Sequence, residues 1–327
     1  MGLRHAQVLN NMGLKPSGVL DPSQSALEKG IEEGLFTSEA AYTDANSFFA
    51  EQSAELIIIA TTAPYHRDYL LRCAEVDAKY VLCEKPLASS LGQCDEMIDY
   101  CNTNGITCAV NHQRRYVGQY QRIKELIDDP SFGPLTSFQV MAGNFGIAMN
   151  GSHCIEIASH LFGERFETVT AWMNEGKLAN PRGKEFSDLS GSFRATTASG
   201  KRLYIDAGND QGHGAATVMA ARNGLLMIDD LLGTMHVSKR KADQLDAPTT
   251  RYAMPYDIED DAYKTDIFQV TQAILEAMME GREYPSLQDG RHTIEVLVAA
   301  HISNESGNTN IRVDQLEAHQ ERIFPWA

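Results

Sequence analysis

Apolar and polar residues in the first third of the chain follow a pattern that predicts strands and helices in alternation. Short, nearly continuous apolar runs at 55–60, 80–83 and 107–110 are typical of strands buried on both faces. Helices are predicted between these runs, at 67–75 and 91–102. Strands that alternate with helices in this way indicate a parallel, doubly wound sheet.

After residue 116 the pattern changes to one typical of an antiparallel sheet. One helix is predicted at 120–127, and turn signals at 198–200 (Ala-Ser-Gly) and 222–224 (Arg-Asn-Gly) favour hairpins. Two further helices, at 263–280 and 288–303, are predicted to close the chain. The strands of this part are predicted at 135–142, 167–173, 189–197, 202–207, 217–221, 225–229 and 234–238.

We therefore expect an α/β protein with two domains, which a chain of 327 residues is long enough to form. Residues 1–113 are expected to form the doubly wound domain. Residues 114–327 are expected to form an α+β domain with an open, mainly antiparallel sheet. The acidic run at 257–261 is interpreted as a solvated loop ahead of a helix N-terminus, where negative charge is favoured.

Composition narrows the class of partner. Lys+Arg 28 against Asp+Glu 44 gives a formal net charge of -16, which argues against a nucleic-acid backbone or an anionic membrane as partner. The chain shows no secretory signal and no apolar run long enough to span a bilayer, so we expect a cytoplasmic protein. The six cysteines show no CxxC pair and no zinc-ligand spacing, which favours reduced, buried thiols over disulfides or a metal site.

The stretch at 80–88 carries the strongest candidate chemistry. Its apolar run ends abruptly in Glu84, Lys85 and Pro86, so a buried strand is expected to deliver two charged side chains to its carboxyl end. That end is where open α/β sheets bind their ligands. Pro86 lacks a backbone donor and must end the strand, and the Lys85–Pro86 bond is a candidate cis peptide. The alternative is a surface turn with a solvated Glu-Lys pair.

The N-terminus carries part of a dinucleotide-binding pattern. A helix is predicted from the first residues, and a short strand at 16–21 follows it. Asp21 stands 19 residues after Gly2, about the interval between the third glycine of G-x-G-x-x-G and the acid that binds the adenosine ribose. Met1, Gly2 and Asp21 are therefore candidate cofactor-binding residues. The first two glycines of the pattern and the strand before them are absent.

Residues 81–88, Val-Leu-Cys-Glu-Lys-Pro-Leu-Ala, resemble the signature of the glucose-fructose oxidoreductase, inositol dehydrogenase and MocA (Gfo/Idh/MocA) family of NAD(P)-dependent oxidoreductases. The resemblance extends along nearly the whole chain. It implies a Rossmann-type first domain that binds a nicotinamide cofactor, with Glu84 and Lys85 among its contacts. Many relatives carry G-x-G-R-M-G-x-R-H where this chain starts with its methionine. We expect an internal methionine to have been taken as the start; the alternative is a product that lacks the edge of its nucleotide site.

The resemblance assigns further residues to the site. In the family, the loop after the strand at 55–60 passes near the nicotinamide. His66, in this loop, is equally a candidate helix-cap residue. The segment 111–116 is similar to the family's N-x-x-R-R-aromatic segment, and Gln113 and Arg115 are expected to contact substrate. The positions that match the nicotinamide loop are Thr61, Thr62, Pro64 and His66.

One helix of the second half carries a polar stripe. Ser152 is its expected N-cap and Gly163 its expected C-terminal stop. At 3.6 residues per turn, His153, Glu156 and His160 fall on one face. Polar groups on an otherwise apolar helix must be satisfied by partners, water or a ligand. Three interpretations are open: a metal site, a hydrogen-bonded structural face and a catalytic face.

The resemblance favours the catalytic face. Sugar and inositol dehydrogenases of the family carry D-x-x-x-H on the equivalent helix, with the histidine as acid/base and the aspartate holding substrate. Here Glu156 replaces the aspartate and His160 is kept, and His153 is expected to bind substrate beside them. Our hypothesis is that His160 and Lys85, from different domains, converge on one hydroxyl. Histidine titrates in the range that proton abstraction needs, and the lysine stabilises developing alkoxide charge.

We therefore predict an NAD-dependent dehydrogenase that acts on a CH-OH group of a sugar, an inositol or a related compound. NAD is favoured over NADP because no Arg or Lys is near Asp21, whose carboxylate repels a 2′-phosphate. Relatives often self-associate through the exposed sheet face, so a homo-dimer or homo-tetramer is implied. The alternative is a ligand-sensing or regulatory protein on the same scaffold, without turnover and with nucleotide binding impaired by the missing glycine loop.

Overall fold

The computed structural model describes residues 1–143, 146–174, 180, 182–251 and 255–326. The chain divides into two compact units. The first comprises Met1–Gln113 and Asp266–Arg291, and the second comprises Arg114–Thr265 and His292–Ala327. The expected division after residue 113 therefore leaves out one segment, because residues 266–291 return to the first unit.

Helices and strands follow one another along the chain much as the apolar pattern predicts. In chain order the α-helices are α1 (Gly2–Asn11), α2 (Gln24–Glu32), α3 (Ala45–Glu51), α4 (Ala63–Leu70), α5 (Leu91–Asn104), α6 (Gly118–Asp128), α7 (Gly151–Phe162), α8 (Ile267–Met279) and α9 (Leu287–Glu305). The strands are β1 (Val19–Leu20), β2 (Ala41–Tyr42), β3 (Leu56–Ile59), β4 (Tyr80–Cys83), β5 (Thr107–Val110), β6 (Leu135–Gly143), β7 (Phe166–Met173), β8 (Gly191–Thr197), β9 (Arg202–Gly208), β10 (Ala216–Ala221), β11 (Gly224–Asp229), β12 (Thr234–Arg240), β13 (Tyr256–Ala262) and β14 (Ile311–Arg312).

The first unit is built on parallel strands, as predicted. β3, β4 and β5 form one parallel sheet in that order, and β1 pairs with β2 in a second parallel sheet. Val81, Leu82 and Cys83 of β4 are fully buried. A strand that is covered on both faces needs a continuous apolar run, which is the pattern that the sequence shows here. The returning helix α8 packs against α1, β4 and β5.

The second unit is one open sheet, and the prediction of a mainly antiparallel arrangement is confirmed. Its order is β13-β12-β11-β10-β6-β9-β8-β7-β14, and β6 and β9 are parallel neighbours within it. The pairs on either side of them run antiparallel. Helix α7, which carries the polar stripe, packs against β6 and β9.

The acidic run at 257–261 was expected to be a loop, and this expectation is wrong. These residues lie in the edge strand β13, paired along their length with β12. Contacts across the ladder offset the low strand propensity of acidic residues: Lys239 Nζ forms an ion pair with Glu259 Oε1 at 2.5 Å, and His236 Nδ1 lies within hydrogen-bonding distance of Asp260 Oδ1, at 2.6 Å. An acidic edge also disfavours pairing with a further strand.

Two helix starts differ from expectation. α4 begins at Ala63 rather than near residue 67, because Pro64 lies in its first turn, where a missing N–H costs nothing. α7 begins one residue before Ser152, and its N-cap is Asn150, so Ser152 is a fully buried helix residue and not the cap. The expected stop is confirmed: Gly163 follows α7 in the left-handed conformation, with φ 64°.

The cysteines are buried, as expected, and the structure has them as free thiols. Burial raises the pKa of Cys73 to about 12 and that of Cys154 to about 11, so neither thiol is activated. In the described chain, no helix combines the length and the apolar character that crossing a membrane requires.

Candidate functional site

Lys85 lies immediately beyond the carboxyl end of the central strand β4 and is partly exposed. The Lys85–Pro86 peptide bond is cis, as the sequence suggested. Pro86 and Leu87 are buried behind it. The strand therefore ends with Lys85 at the edge of the sheet where parallel strands present ligand sites.

Glu84 is not a solvated partner of Lys85. The residue is 1% exposed, and its Oε1 lies 2.8 Å from His5 Nε2 and accepts a hydrogen bond of 2.9 Å from Asn111 Nδ2. Its Oε2 accepts the backbone N–H of Lys85 at 3.3 Å. These inward contacts exclude the surface-turn interpretation of this stretch.

The same contacts set the charge of Glu84. Burial alone would raise its pKa, but the hydrogen bond and charge of His5, the Asn111 amide and the charge of Lys85 outweigh burial. Together they lower the pKa of Glu84 from 4.5 to about 2. A buried carboxylate that stays ionised is stable only while its donors remain in place.

The start of α1 suits an anionic group. Met1 is its N-cap residue, and no side chain of the described chain caps it. Within the described residues, a Cβ added to Gly2 would meet nothing within 4 Å. Free amides and the helix dipole make such an N-terminus a phosphate site. Because His5 contacts Glu84, this helix start lies beside the carboxyl end of β4.

Two further polar groups fit a bound dinucleotide. Asp21 directly follows β1 and is partly exposed, and its Oδ1 accepts the N–H of Ser23 at 2.8 Å. Thr61 follows β3, and its Oγ1 is buried without a hydrogen-bond partner in the described chain. Buried hydroxyls are normally satisfied, so this atom is suited to a ligand or a water. The residues of the first unit therefore fit a nicotinamide dinucleotide.

His66 is not the helix-cap residue that was one of its two expected roles. It lies inside α4, not at its cap, and its side chain is fully buried. Its Nδ1 lies 3.1 Å from the carbonyl oxygen of Leu87, and its Nε2 lies 3.1 Å from that of Thr61. Burial lowers the pKa of His66 despite these carbonyls. The ring therefore joins the Thr61 loop to the turn after Lys85, while Thr62 and Pro64 form the start of α4.

In the second unit, the three polar side chains of the α7 stripe differ in how deeply they are buried. Glu156 is buried, with 1% of its side chain exposed, and Arg115 Nε donates to its Oε1 at 2.5 Å. His153 and His160 are partly exposed. No three His, Cys, Asp or Glu side chains of the described residues are arranged to hold a metal ion. The stripe therefore has two parts: a buried ion pair between Glu156 and Arg115, and two partly exposed histidines, His153 and His160.

A cavity of about 400 Å³ adjoins the stripe, between α6 and α7. Its volume lies in the range of small-molecule sites. The wall combines hydrogen-bonding and charged side chains with one apolar residue. It is lined by Arg115, Tyr120, Gln121, Lys124, Glu125, Ile157 and His160.

Gln113, one of the three residues expected to bind substrate, forms its hydrogen bond within the first unit. Its Nε2 donates to Thr271 Oγ1 on α8 at 2.6 Å. This contact fixes the end of the first unit against its returning helix. The structure thus groups Arg115 and His160 around one cavity and gives Gln113 a separate partner.

Three residues that support the site were missed by sequence reasoning: His5, Asn111 and Asp188. Asp188 is 3% exposed and accepts the N–H groups of Ala148 at 2.9 Å and Met149 at 2.7 Å, which fixes the turn before α7. Its carboxylate also lies where a Cβ on Gly146 would be, only 2.1 Å away. His5 and Asn111 lie within segments that resemble the family, but their partner Glu84 is distant in sequence, and nothing in the local pattern marks Asp188.

A parallel sheet, an open helix N-terminus beside its carboxyl edge and a lysine at the end of its central strand define a dinucleotide-binding α/β protein. Residues 1–112 match the family model described as oxidoreductase family, NAD-binding Rossmann fold. This part of the chain therefore matches the NAD-binding domain of the Gfo/Idh/MocA family.

Among curated relatives, myo-inositol 2-dehydrogenase of Thermotoga maritima is 25% identical over 148 residues, 41% of this chain and 43% of that enzyme. The match thus spans less than half of that relative's length. An oxidoreductase of Agrobacterium radiobacter, solved with NAD+, L-tartaric acid and magnesium, has a TM-score of 0.79 at 17% identity, covering 96% of each chain. The transcriptional regulator Gal80p of Kluyveromyces lactis has a TM-score of 0.77 at 15% identity, covering 95% of this chain and 87% of its own. These likenesses show a common fold.

Proposed function

We propose that the protein is an NAD-dependent oxidoreductase that moves hydride between the nicotinamide and a carbinol carbon of a sugar, an inositol or a related polyol. The observation that carries the proposal is Lys85, held by the buried Glu84 beyond β4 in the same unit as the open N-terminus of α1. A lysine whose backbone is held in this way beside a dinucleotide site is suited to stabilising charge on a reacting oxygen.

Within the first unit, each cofactor group has a candidate partner. The first amides of α1, at Gly2 and Leu3, would hold the pyrophosphate, and Asp21 would bind the adenosine ribose. Thr61 Oγ1, buried without a partner in the described chain, would bond the nicotinamide end. The carboxylate of Asp21 favours NAD, because it repels the 2′-phosphate of NADP. The bound cofactor supplies the hydride acceptor.

His160 and Lys85, both partly exposed, have complementary roles in this proposal. His160 takes the hydroxyl proton, since neutral imidazole is a base in the physiological range. Lys85 donates a hydrogen bond to the same oxygen and stabilises its alkoxide character as hydride leaves the carbon. Glu156 holds Arg115 in place and does not contact the reacting oxygen itself.

The cavity of the second unit supports a polyol as substrate. Hydroxyl groups need both donors and acceptors, which Gln121 and Glu125 offer along its wall, and Ile157 provides an apolar surface for a ring face. A relative named myo-inositol 2-dehydrogenase is consistent with this substrate class.

We also propose self-association through the open face of the second unit's sheet. The strand registers put several exposed apolar side chains on one face. Exposed apolar patches of this kind are typical of protein interfaces. They are Met141, Trp172, Leu225, Met227 and Ile258.

A regulatory protein on this scaffold is the second candidate, favoured by the likeness to Gal80p. Such a protein would bind dinucleotide without turnover. The purified protein should be mixed with NAD or NADP and a panel of inositols, aldoses and sugar acids while reduced nicotinamide is followed at 340 nm. We expect turnover that falls about 100-fold or more in Lys85→Ala and in His160→Ala, with NAD affinity kept. Binding of NAD without turnover on any substrate would favour the regulator, and unchanged rates in both variants would remove the proposed roles.

A further inference from the structure

We propose that His5 is a positioning residue, which acts from α1 through Glu84 to fix the backbone of Lys85. The proposal deepens the function proposed above and rests on it for the role of Lys85. His5 lies in the first turns of α1, whose open N-terminus is the phosphate site inferred above. One side chain would therefore connect the cofactor helix to the lysine that faces the substrate.

The connection is a chain of three hydrogen bonds in the first unit. His5 Nε2 lies 2.8 Å from Glu84 Oε1, which Asn111 Nδ2 also contacts at 2.9 Å. The second oxygen of the same carboxylate accepts the N–H of Lys85 at 3.3 Å. The carboxylate is thus held from two different elements, α1 and the segment after β5, and it holds the residue that follows it.

Because the three residues are buried, a lost hydrogen bond to Glu84 is hard to replace. His5 is 3% exposed, Glu84 1% and Asn111 2%, so water does not replace a lost donor easily. A buried carboxylate that loses a donor must find another partner or become protonated. The nearest cation in sequence is Lys85, which already lowers the pKa of Glu84. Loss of His5 would therefore draw Glu84 toward the Lys85 ammonium and change the position of both.

The ring of His5 has no competing structural bond. Its Nδ1 is buried and has no hydrogen-bond partner within the described residues. The hydrogen bond to Glu84 is therefore the specific contact of this side chain, apart from packing. This separates His5 from a residue that only stabilises the fold: a donor of similar reach should restore function even where the ring is lost.

The test compares His5→Ala, which removes the donor, with His5→Gln, which keeps an N–H donor. Gln7→Ala is the matched control, since Gln7 is half-buried on the same helix and its Nε2 donates to Asn11 Oδ1 at 2.9 Å, away from Glu84. The first measurement needs no substrate: the rate at which trinitrobenzenesulfonate labels Lys85, followed by mass spectrometry relative to the exposed Lys15 and Lys79. The second is kcat and KM for NAD with a substrate from the panel above.

In His5→Ala we expect Lys85 labelling to slow about threefold or more, because a closer carboxylate stabilises the ammonium form. We expect kcat to fall about 10- to 100-fold with KM for NAD nearly unchanged, since a small misplacement of a catalytic group is enough for such a loss. His5→Gln should recover most of both quantities, and Gln7→Ala should match the original protein.

Unchanged labelling and kcat in a folded His5→Ala protein would overturn the proposal. Equal losses in His5→Ala and His5→Gln, with a lowered melting temperature in both, would also overturn it, because the role would then be structural. If the original protein turns over no substrate, the proposed function fails, but the labelling rates still decide whether His5 positions Lys85.

Discussion

Arg115 Nε lies 2.5 Å from Glu156 Oε1, and the two side chains are 9% and 1% exposed. A buried ion pair of this kind holds the wall of the cavity to the helix that carries His160. From the sequence, Glu156 was compared with an aspartate that holds substrate. In the structure its buried ion pair with Arg115 supports the helix that carries His153 and His160.

We predict that breaking this pair costs more than removing it. Glu156→Gln or Arg115→Met should each lower the free energy of unfolding by about 3–5 kcal/mol, because a charge is left buried without its partner. The double variant should lose less than the sum of the two. Urea unfolding of all four proteins gives the coupling energy. Strictly additive losses would show that the pair does not act as a unit.

Glu84 should give the protein an acid-dependent stability. The pKa of Glu84 is lowered from 4.5 to about 2, so the stabilisation is present above pH 4.5 and is lost as pH falls toward 2. A shift of this size corresponds to about 3 kcal/mol. Urea unfolding at pH 7, 5 and 3 should show this loss. Glu84→Gln should be less stable at pH 7 and flatter over the acid range, whereas Glu28→Gln, on the exposed side of α2, should follow the original protein. A variant at Glu84 with the original acid dependence would contradict the assignment.

Asp188 should control the geometry of α7 from outside the cavity. Asp188→Ala removes the acceptor of two backbone N–H groups before the helix and should lower the free energy of unfolding by about 2–4 kcal/mol. We expect turnover to fall further than stability explains, since His160 would shift with the helix. Activity measured well below the melting temperature separates the two effects. Asp206→Ala, at an exposed position of the sheet, is the control, and equal activity in both variants would exclude a role for Asp188.

Asp21 should set the choice of cofactor. Asp21→Ala should weaken NAD binding and should raise kcat/KM for NADP relative to NAD about tenfold, because the carboxylate no longer repels the 2′-phosphate. The measurement is the ratio of kcat/KM for the two cofactors with one substrate. Asp44→Ala, which removes the cap of α3, is a control for helix destabilisation. A ratio unaltered by loss of Asp21 would place the ribose elsewhere.

The open sheet face should mediate self-association. Met227→Lys combined with Ile258→Lys puts two charges into the proposed interface, so light scattering coupled to gel filtration should show a smaller assembly than the original protein. Ile323→Lys replaces an exposed apolar residue outside this sheet face and should leave the mass unchanged. A monomeric original protein would rule out this interface.

The local sequence pattern predicted the structure correctly where neighbouring residues decide the conformation. The parallel strands of the first unit, the antiparallel sheet of the second and the stop at Gly163 all followed from apolar periodicity and turn residues. It failed at 257–261, because the strand there is held by the ladder to β12 and by charges on that partner. It also failed at Ser152, since a cap depends on where the helix starts, which packing decides.

The sequence by itself determined the class of fold and the chemistry available at the end of β4, because strand burial and the arrest at Pro86 are encoded in consecutive residues. Only the tertiary structure decided which buried polar groups form hydrogen bonds with residues distant in the sequence. The bonds from His5 to Glu84, from Arg115 to Glu156 and from Asp188 to Ala148 each join residues 40 or more positions apart. Contacts at that separation depend on how whole elements pack, and no local periodicity records them.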